Sequence, residues 1–314
     1  VSDLHVILGT GAVGRAVAGE LVRQGASVRL LNRSGAMPEA PAEVELRGVD
    51  LYDPEAVRGA TQGARVVYQC AQPPYNRWPE EFPPLQASII EGLAGSEAKL
   101  VVVENMYMFG DTAGKPLSED LPHAAQTRKG RTRAAMTESA LAAHREGKVR
   151  VTIGRGADYF GPWGDNSTMG GRVFPPLFRG KPAQPIGRLD LPHTHTYLKD
   201  FGKALVLLGE RGGADGEAWH VPNDTPEITQ GELVRIFCEE AGLEAKISAM
   251  GRTMLRLGGL FVPEARESLE MLYEFEKPFI VDSSKFERVF GMRATPMRAS
   301  LRETASWYGE QVTR

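Results

Sequence analysis

Residues 7–31 read ILGTGAVGRAVAGELVRQGASVRLL. An apolar run closes on Gly9-x-Gly11-x-x-Gly14, a helical pattern follows, and a second apolar run ends the stretch. Two strands joined by a helix pair in parallel, and such crossovers are right-handed almost without exception. A triple glycine alone is a weak signal, but a strand before it and a helix after it supply the context that gives it meaning. Gly9 permits a tight turn, Gly11 lets the backbone approach a pyrophosphate, and Gly14 lets helix and strand pack closely. Ala12 and Val13 open the helix, whose unpaired N–H groups and positive dipole end favour an anion. The stretch therefore predicts a dinucleotide-binding turn.

The alternation continues. Strands are predicted at 4–8, 27–31, 44–49, 65–70, 99–103 and 149–153, with helices near 12–24, 54–62, 84–94 and 128–146. This order gives an α/β fold with a Rossmann-type doubly wound parallel sheet. After residue 155 the texture changes, and GPWGDNSTMGGRVFPPLFRGKPAQPIG (161–187) is rich in glycine and proline. Such a segment suits a pocket wall better than a core. The expected organisation is a dinucleotide-binding domain over 1–158, rejoined by about 192–222. A smaller C-terminal substrate-binding region then takes 159–191 and 223–314. A strand is expected in AWHVPN (218–223), and Thr229 with Glu232 form a capping box for the next helix.

Composition narrows the partners. Of 314 residues 42% are hydrophobic and 25% charged, which suits an ordinary globule with a sizeable core. A net charge of −3 argues against nucleic acid or an anionic membrane as a partner, and the arginine cluster 128, 131 and 133 reads as a solvated helix face. No apolar run approaches the ~20 residues that span a bilayer, and no signal-peptide pattern opens the chain. Cys70 and Cys238 sit in apolar runs without partner spacing, so buried reduced thiols in a cytoplasmic protein are expected.

The second strand decides which dinucleotide. An NAD site wants a carboxylate there for the ribose 2′-hydroxyl, but the strand ends on Asn32, followed by Arg33 and Ser34. Without a carboxylate, repulsion is absent, and a guanidinium can pair a 2′-phosphate. NADP(H) is predicted over NAD(H).

Several stretches, in order along nearly the whole chain, resemble the extended or atypical short-chain dehydrogenase/reductases of the NAD-dependent epimerase/dehydratase family. GVDLYDPEAVRGATQGARVVYQCAQ (48–72) resembles that family's Asp-Leu step and the strand that ends in a small-residue turn. The resemblance implies adenine contacts from Asp50 and Leu51, and ribose or pyrophosphate contacts from Ala71 and Gln72. VVVENMYMFGD (101–111) resembles the strand and loop that carry the catalytic serine, and GRGADYFGP (154–162) the segment placing Tyr159 beside the nicotinamide. HTHTYLKDFGKAL (193–205) and FIVDSSKFERVFGMRATPM (279–297) resemble later family segments. The family's Ser, Tyr and Lys places fall on Asn105, Lys129 and Arg133. All three are replaced. The family often dimerises through first-half helices, so the resemblance also implies a homodimer.

Each substitute has its own chemistry. Asn105 can donate a hydrogen bond to a substrate oxygen but cannot relay a proton. Arg133 can hold a ribose and a permanent positive charge, but cannot act as a base. Lys129, if buried beside Arg133, could protonate or stabilise an alkoxide. Tyr107 lies two residues after Asn105 on the same loop, where extended side chains share a face, and could serve as a relocated acid. A bound water is the third option. His193 and His195 share one face of an extended segment, and no Cys, Asp or Glu cluster completes a metal site, so no metal is expected. They are assigned to substrate contact, and His195 could act as an acid near neutral pH.

Three functions remain. The first is an NADP(H)-dependent oxidoreductase that moves hydride to or from a carbonyl or hydroxyl carbon of a small-molecule substrate. The second is a sugar-nucleotide epimerase or dehydratase, for which Arg172, Arg179 and Lys181 could meet a diphosphate. The third is an NADP(H)-binding regulator without turnover. Glu104, Asn105, Tyr107, Lys129, Arg133 and Tyr159 supply enough polar chemistry to favour an enzyme.

Overall fold

The computed structural model describes residues 3–258, 267 and 269–313, which form two compact units. The first comprises Val1–Met108, Arg128–Arg155 and Phe201–Trp219; the second Phe109–Thr127, Gly156–Asp200 and His220–Arg314. Residues 109–127, placed by the sequence reading in the first domain, therefore lie in the second unit.

The first unit is built on β1 (Leu4–Leu8), β2 (Ser27–Asn32), β3 (Val44–Gly48), β4 (Val66–Gln69), β5 (Lys99–Glu104) and β6 (Arg150–Arg155). With β9 (Ala218–His220) they make a seven-stranded sheet in the order β3-β2-β1-β4-β5-β6-β9, mostly parallel. Its helices include α1 (Ala12–Arg23), α2 (Pro54–Thr61), α3 (Trp78–Leu93) and α4 (Arg128–Arg145). The central strands are buried almost throughout, as strands covered on both faces must be. Val6, Leu8, Val67, Leu100, Val102, Val151 and Ile153 alternate onto one face, packed with Val57, Phe82, Leu85, Ile89, Met136 and Ala140. The chain leaves β1 toward β2 and β3, then returns to lay β4 on β1's other side. At such a reversal the connections diverge and leave a crevice beyond the carboxyl ends of the strands.

One helix differs from its predicted span. The sequence places a helix near 84–94, yet α3 begins at Trp78, ahead of Pro79, Pro83 and Pro84. Pro79 sits in the first turn, where its missing N–H has no intrahelical partner anyway. Pro83 and Pro84 forgo two helix bonds, and burial of Trp78, Phe82 and Leu85 offsets that loss. One cysteine also departs from expectation: Cys238 is buried, but Cys70, just after β4, is only half-buried.

The second unit has a small parallel pair, β7 (Asp158–Phe160) with β8 (His195–Tyr197), and a helical part. The helices are α5 (Phe174–Phe178), α6 (Leu198–Glu210, which crosses into the first unit), α7 (Gln230–Ala241), α8 (Arg252–Gly258), α9 (Ser284–Phe290) and α10 (Met297–Thr313). Thr229 caps α7 by accepting from Glu232 N at 3.1 Å, and Gly242 ends the helix at φ 65°. Phe174 stacks on Phe237 at 4.2 Å, within a core that also holds Leu233, Leu301 and Tyr308. No helix among the described residues is long and apolar enough to cross a membrane.

Candidate active site

The glycine turn has the geometry its spacing predicts. Gly9 adopts φ 107°, and a Cβ there would lie 2.7 Å from Ala71 N, so any side chain would collide with the β4 turn. A Cβ on Gly14 would lie 2.0 Å from Gly9 O, which fixes how closely α1 meets β1. Gly11 is different: a Cβ there would meet nothing within 4 Å. Space over Gly11 is open, its residue is exposed, and α1 begins there with no side-chain cap and no acid in its first turn. The N–H groups at Ala12, Val13 and Gly14 thus head a 12-residue helix whose positive end has no side-chain cap. A helix start without a cap or an acid suits an anion such as a dinucleotide pyrophosphate in charge, and Gly11 leaves room for its approach.

At the end of β2, Asn32 is committed to its own loop. Its amide donates to Thr10 Oγ1 at 3.0 Å and to Ala36 O at 2.7 Å, while its carbonyl accepts from Gly35 N at 2.6 Å and Ser34 Oγ at 3.2 Å. This ties the β2 loop to the glycine turn. Arg33 and Ser34 are exposed beside it. Asp50 is exposed and accepts from Tyr52 N at 3.0 Å, whereas Leu51 is 8% exposed and belongs to the core. Ala71 is half-buried against Gly9, and Gln72 is exposed.

The end of β5 carries the second group of residues. Glu104 is fully buried, accepting from Arg155 Nε at 3.0 Å and from Thr137 Oγ1 at 2.7 Å. Glu104 and Arg155 face each other in the β5–β6 register, so this ion pair pins the strand end from which the next loop departs. On that loop Asn105 Oδ1 accepts from Tyr107 N at 3.2 Å, forming a local turn. The Tyr107 hydroxyl lies 3.2 Å from that of Tyr75, which follows β4.

Helix α4 supplies Lys129 and Arg133 from its first turns, and both are buried. Lys129 Nζ stands 4.5 Å over the Tyr75 ring. Arg133 donates to Val103 O at 2.8 Å, with its guanidinium over Phe82 at 4.9 Å and Trp78 at 5.6 Å. Lys129 therefore meets Tyr75, and Arg133 braces β5 against the aromatic face of α3. Sequence reasoning singled out Asn105, Tyr107, Lys129 and Arg133 but missed Tyr75 and Trp78. The signal was the run PPYNRW on a turn at the carboxyl end of a central strand, where functional loops gather.

The second unit has a polar cluster of its own. Its Tyr159, in β7, is half-buried and in register with Thr196. His193 and His195 are both 2% exposed, so the structure gives them interior positions. His193 is held between Phe275 and Phe279, each 4.8 Å away, and its Nε2 lies 2.6 Å from Asp158 Oδ2. Neither ring nitrogen of His195 has a hydrogen-bond partner among the described residues; burial, and then the neighbouring His193, push its pKa well down. Glu274 is buried as well, and burial together with the charge of Asp158 pushes its carboxyl well up. No group of three metal-ligating side chains occurs among the described residues. Asp158 and Glu274 were not singled out in the sequence, because no local pattern marks an acid that a distant histidine will meet.

A parallel sheet with an open glycine cradle at its reversal point defines a dinucleotide-binding α/β protein. The model of the NAD dependent epimerase/dehydratase family matches residues 6–221, and the chain belongs to this family of NAD-dependent enzymes. No curated protein matches it in sequence. Among solved structures, UDP-glucuronic acid 4-epimerase from Bacillus cereus, in complex with UDP-glucuronic acid and NAD, is similar with a TM-score of 0.78 at 15% identity, over 98% of this chain and 99% of that one. UDP-glucose 4-epimerase from Thermotoga maritima gives 0.78 at 16%, over 98% and 99%. UDP-N-acetylglucosamine 4-epimerase from Bacillus cereus gives 0.75 at 14%, over 96% and 95%. At these identities the likeness is one of fold.

Proposed function

We propose that the protein is a nicotinamide-dinucleotide-dependent epimerase or dehydratase acting on a sugar nucleotide. Hydride taken from a hydroxyl-bearing carbon returns to the same molecule. The observation that carries this reading is the open cradle at Gly11, at the reversal point of the sheet. Family membership and the UDP-sugars named for the structural neighbours favour it over net oxidation of a separate substrate. The cofactor supplies a hydride acceptor and donor; this chain's residues bind, orient and manage the proton. Ala12, Val13 and Gly14 N–H groups would hold the pyrophosphate, Asn105 would orient the substrate oxygen, and Tyr107, in the neighbourhood of Lys129, would take its proton. NADP(H) is the preferred form, because Asn32 leaves the end of β2 without a carboxylate to repel a 2′-phosphate and Arg33 stands exposed beside it.

The reaction is tested by incubating the protein with UDP-glucose, UDP-glucuronic acid and UDP-N-acetylglucosamine and a trace of either dinucleotide, then following sugar protons by NMR. Inversion or dehydration without accumulating reduced nicotinamide supports the reading. Stoichiometric reduced nicotinamide would identify a net oxidoreductase instead, and bound cofactor without turnover on any sugar nucleotide would identify a binder. The preference is tested by titrating NADPH and NADH against wild type and Arg33→Ala. The variant should lose about tenfold for NADPH alone, equivalent to ~1.4 kcal/mol; equal affinities in wild type would overturn the assignment.

A further inference from the structure

The family's tyrosine place is filled by a lysine, so the reaction proposed above needs another proton-handling group. Two neighbouring strands supply one. β4 and β5 are adjacent and parallel, and each ends in a short helical turn, Tyr75–Arg77 after β4 and Tyr107–Phe109 after β5. Their first residues are both tyrosines, and the topology sets the two hydroxyls 3.2 Å apart. Both rings are half-buried. Trp78 meets Tyr75 edge-on at 5.1 Å and lies 6.0 Å from Tyr107, so an aromatic wall keeps the pair in place.

We infer that Tyr75 and Tyr107 form a proton-sharing phenol pair, held by Lys129, in which Tyr107 exchanges a proton with the substrate hydroxyl. This rests on the hydride-transfer reading above. Among the described residues, Lys129 on α4 faces the Tyr75 ring and Arg133 faces the neighbouring Trp78 and Phe82, while Glu104 bonds to Arg155 and Thr137. Two cations border the aromatic cluster, and Lys129 Nζ faces the ring of Tyr75 at 4.5 Å. A phenolate spreads its charge into its ring, so a cation over that ring favours the ionised form of Tyr75. The neighbouring hydroxyl of Tyr107 then solvates the phenolate oxygen as a charge-assisted donor.

The step balances. As hydride leaves the substrate carbon for the oxidised nicotinamide dinucleotide, the substrate O–H bond breaks and its proton passes to the Tyr107 oxygen. Tyr107's own proton passes to the Tyr75 phenolate, and the carbon–oxygen bond becomes a carbonyl. Return of the hydride reverses each transfer. Tyr107 is the catalytic residue. Tyr75 and Lys129 are positioning residues: one stores the proton, the other keeps the store basic. Lysine is retained in this arrangement and moved from the side of one phenol to the face of another.

Two measurements test the pair. The first needs neither cofactor nor substrate: an ultraviolet difference titration that counts tyrosinate as pH rises. Wild type should show one phenol ionising ahead of the others. Tyr75→Phe should lose that step, and Lys129→Met should shift it toward the ordinary tyrosine range near ~10. Lys129→Arg should restore it. The second is the pH profile of kcat, with thermal melts and dinucleotide titrations run on each variant to establish folding and binding. Tyr107→Phe should lower kcat about 100-fold or more. Tyr75→Phe and Lys129→Met should move the basic limb of the profile, with dinucleotide affinity held. An early phenol without turnover would leave the pair standing and remove the hydride-transfer reading. Turnover whose pH profile is the same in all three variants, or no early phenol in wild type, would overturn the pair.

Discussion

Replacing Glu104 by glutamine tests how the end of β5 is held. The carboxylate has no exposed side-chain area, and Arg155, 3.0 Å away, has 1%. Breaking such a buried pair by removing one partner costs about 3–5 kcal/mol. Glutamine keeps an oxygen for Thr137, so Glu104→Gln should fall at the lower end, about 3 kcal/mol. A domain of this size loses roughly 2–4 °C in Tm per kcal/mol, so the first unit should melt roughly 6–12 °C lower. The assay is thermal and urea melting by circular dichroism. A second variant separates charge from shape. Glu104→Leu with Arg155→Met removes both ions and should be more stable than Glu104→Leu alone, because apolar groups of similar size can replace a buried pair at little cost. Because Asn105 and Tyr107 leave from this strand end, Glu104→Gln should also reduce turnover at temperatures where it remains folded. A loss below about 1 kcal/mol, or a double variant worse than the single, would refute the claim that the pair is buried and mutually compensating.

Two pH effects follow from the second unit. The Glu274 carboxyl is pushed well up by burial and then by Asp158, so between the ordinary value near ~4.3 and its raised folded value only the unfolded state gives up the proton. Stability contributed by this group is full at low pH and falls as pH rises, by at most about 1.4 kcal/mol per pH unit. Glu274→Gln should therefore raise Tm near neutral pH and match wild type in acid, as melts across pH will show. His195 has the opposite sign. Burial keeps it neutral in the fold, so below about pH 6.5 the unfolded state takes up a proton that the folded state refuses, and stability falls. With no hydrogen bond to either ring nitrogen to lose, His195→Gln should flatten that acid slope; an unchanged slope would place the acid sensitivity elsewhere.

The sequence carried the first unit well because its signals are local. Gly9, Gly11 and Gly14 fix a turn by spacing, and the apolar runs of β1, β2, β4 and β5 announce buried strands within a residue or two of their observed ends. The start of α3 was illegible because three prolines spoil the pattern while Trp78 and Phe82, buried against β5's neighbours, hold the helix together. The site was only partly legible for the same reason. Lys129, Arg133, Asn105 and Tyr107 stand at places the family resemblance marks. Tyr75 becomes meaningful only once β4 lies beside β5 and α4 brings Lys129 over its ring.

Gly11 gives the most direct test of the central claim that this chain works through a nicotinamide dinucleotide. Its backbone is extended, φ −70° and ψ −175°, and a Cβ there meets nothing, so Gly11→Val should fold and melt like wild type. The same side chain would fill the space a pyrophosphate needs. Titration of NADPH, followed by nicotinamide fluorescence, should saturate with wild type and show no binding with Gly11→Val at equal Tm. Saturation that survives in the variant, or no binding to wild type by either reduced dinucleotide, would contradict the account.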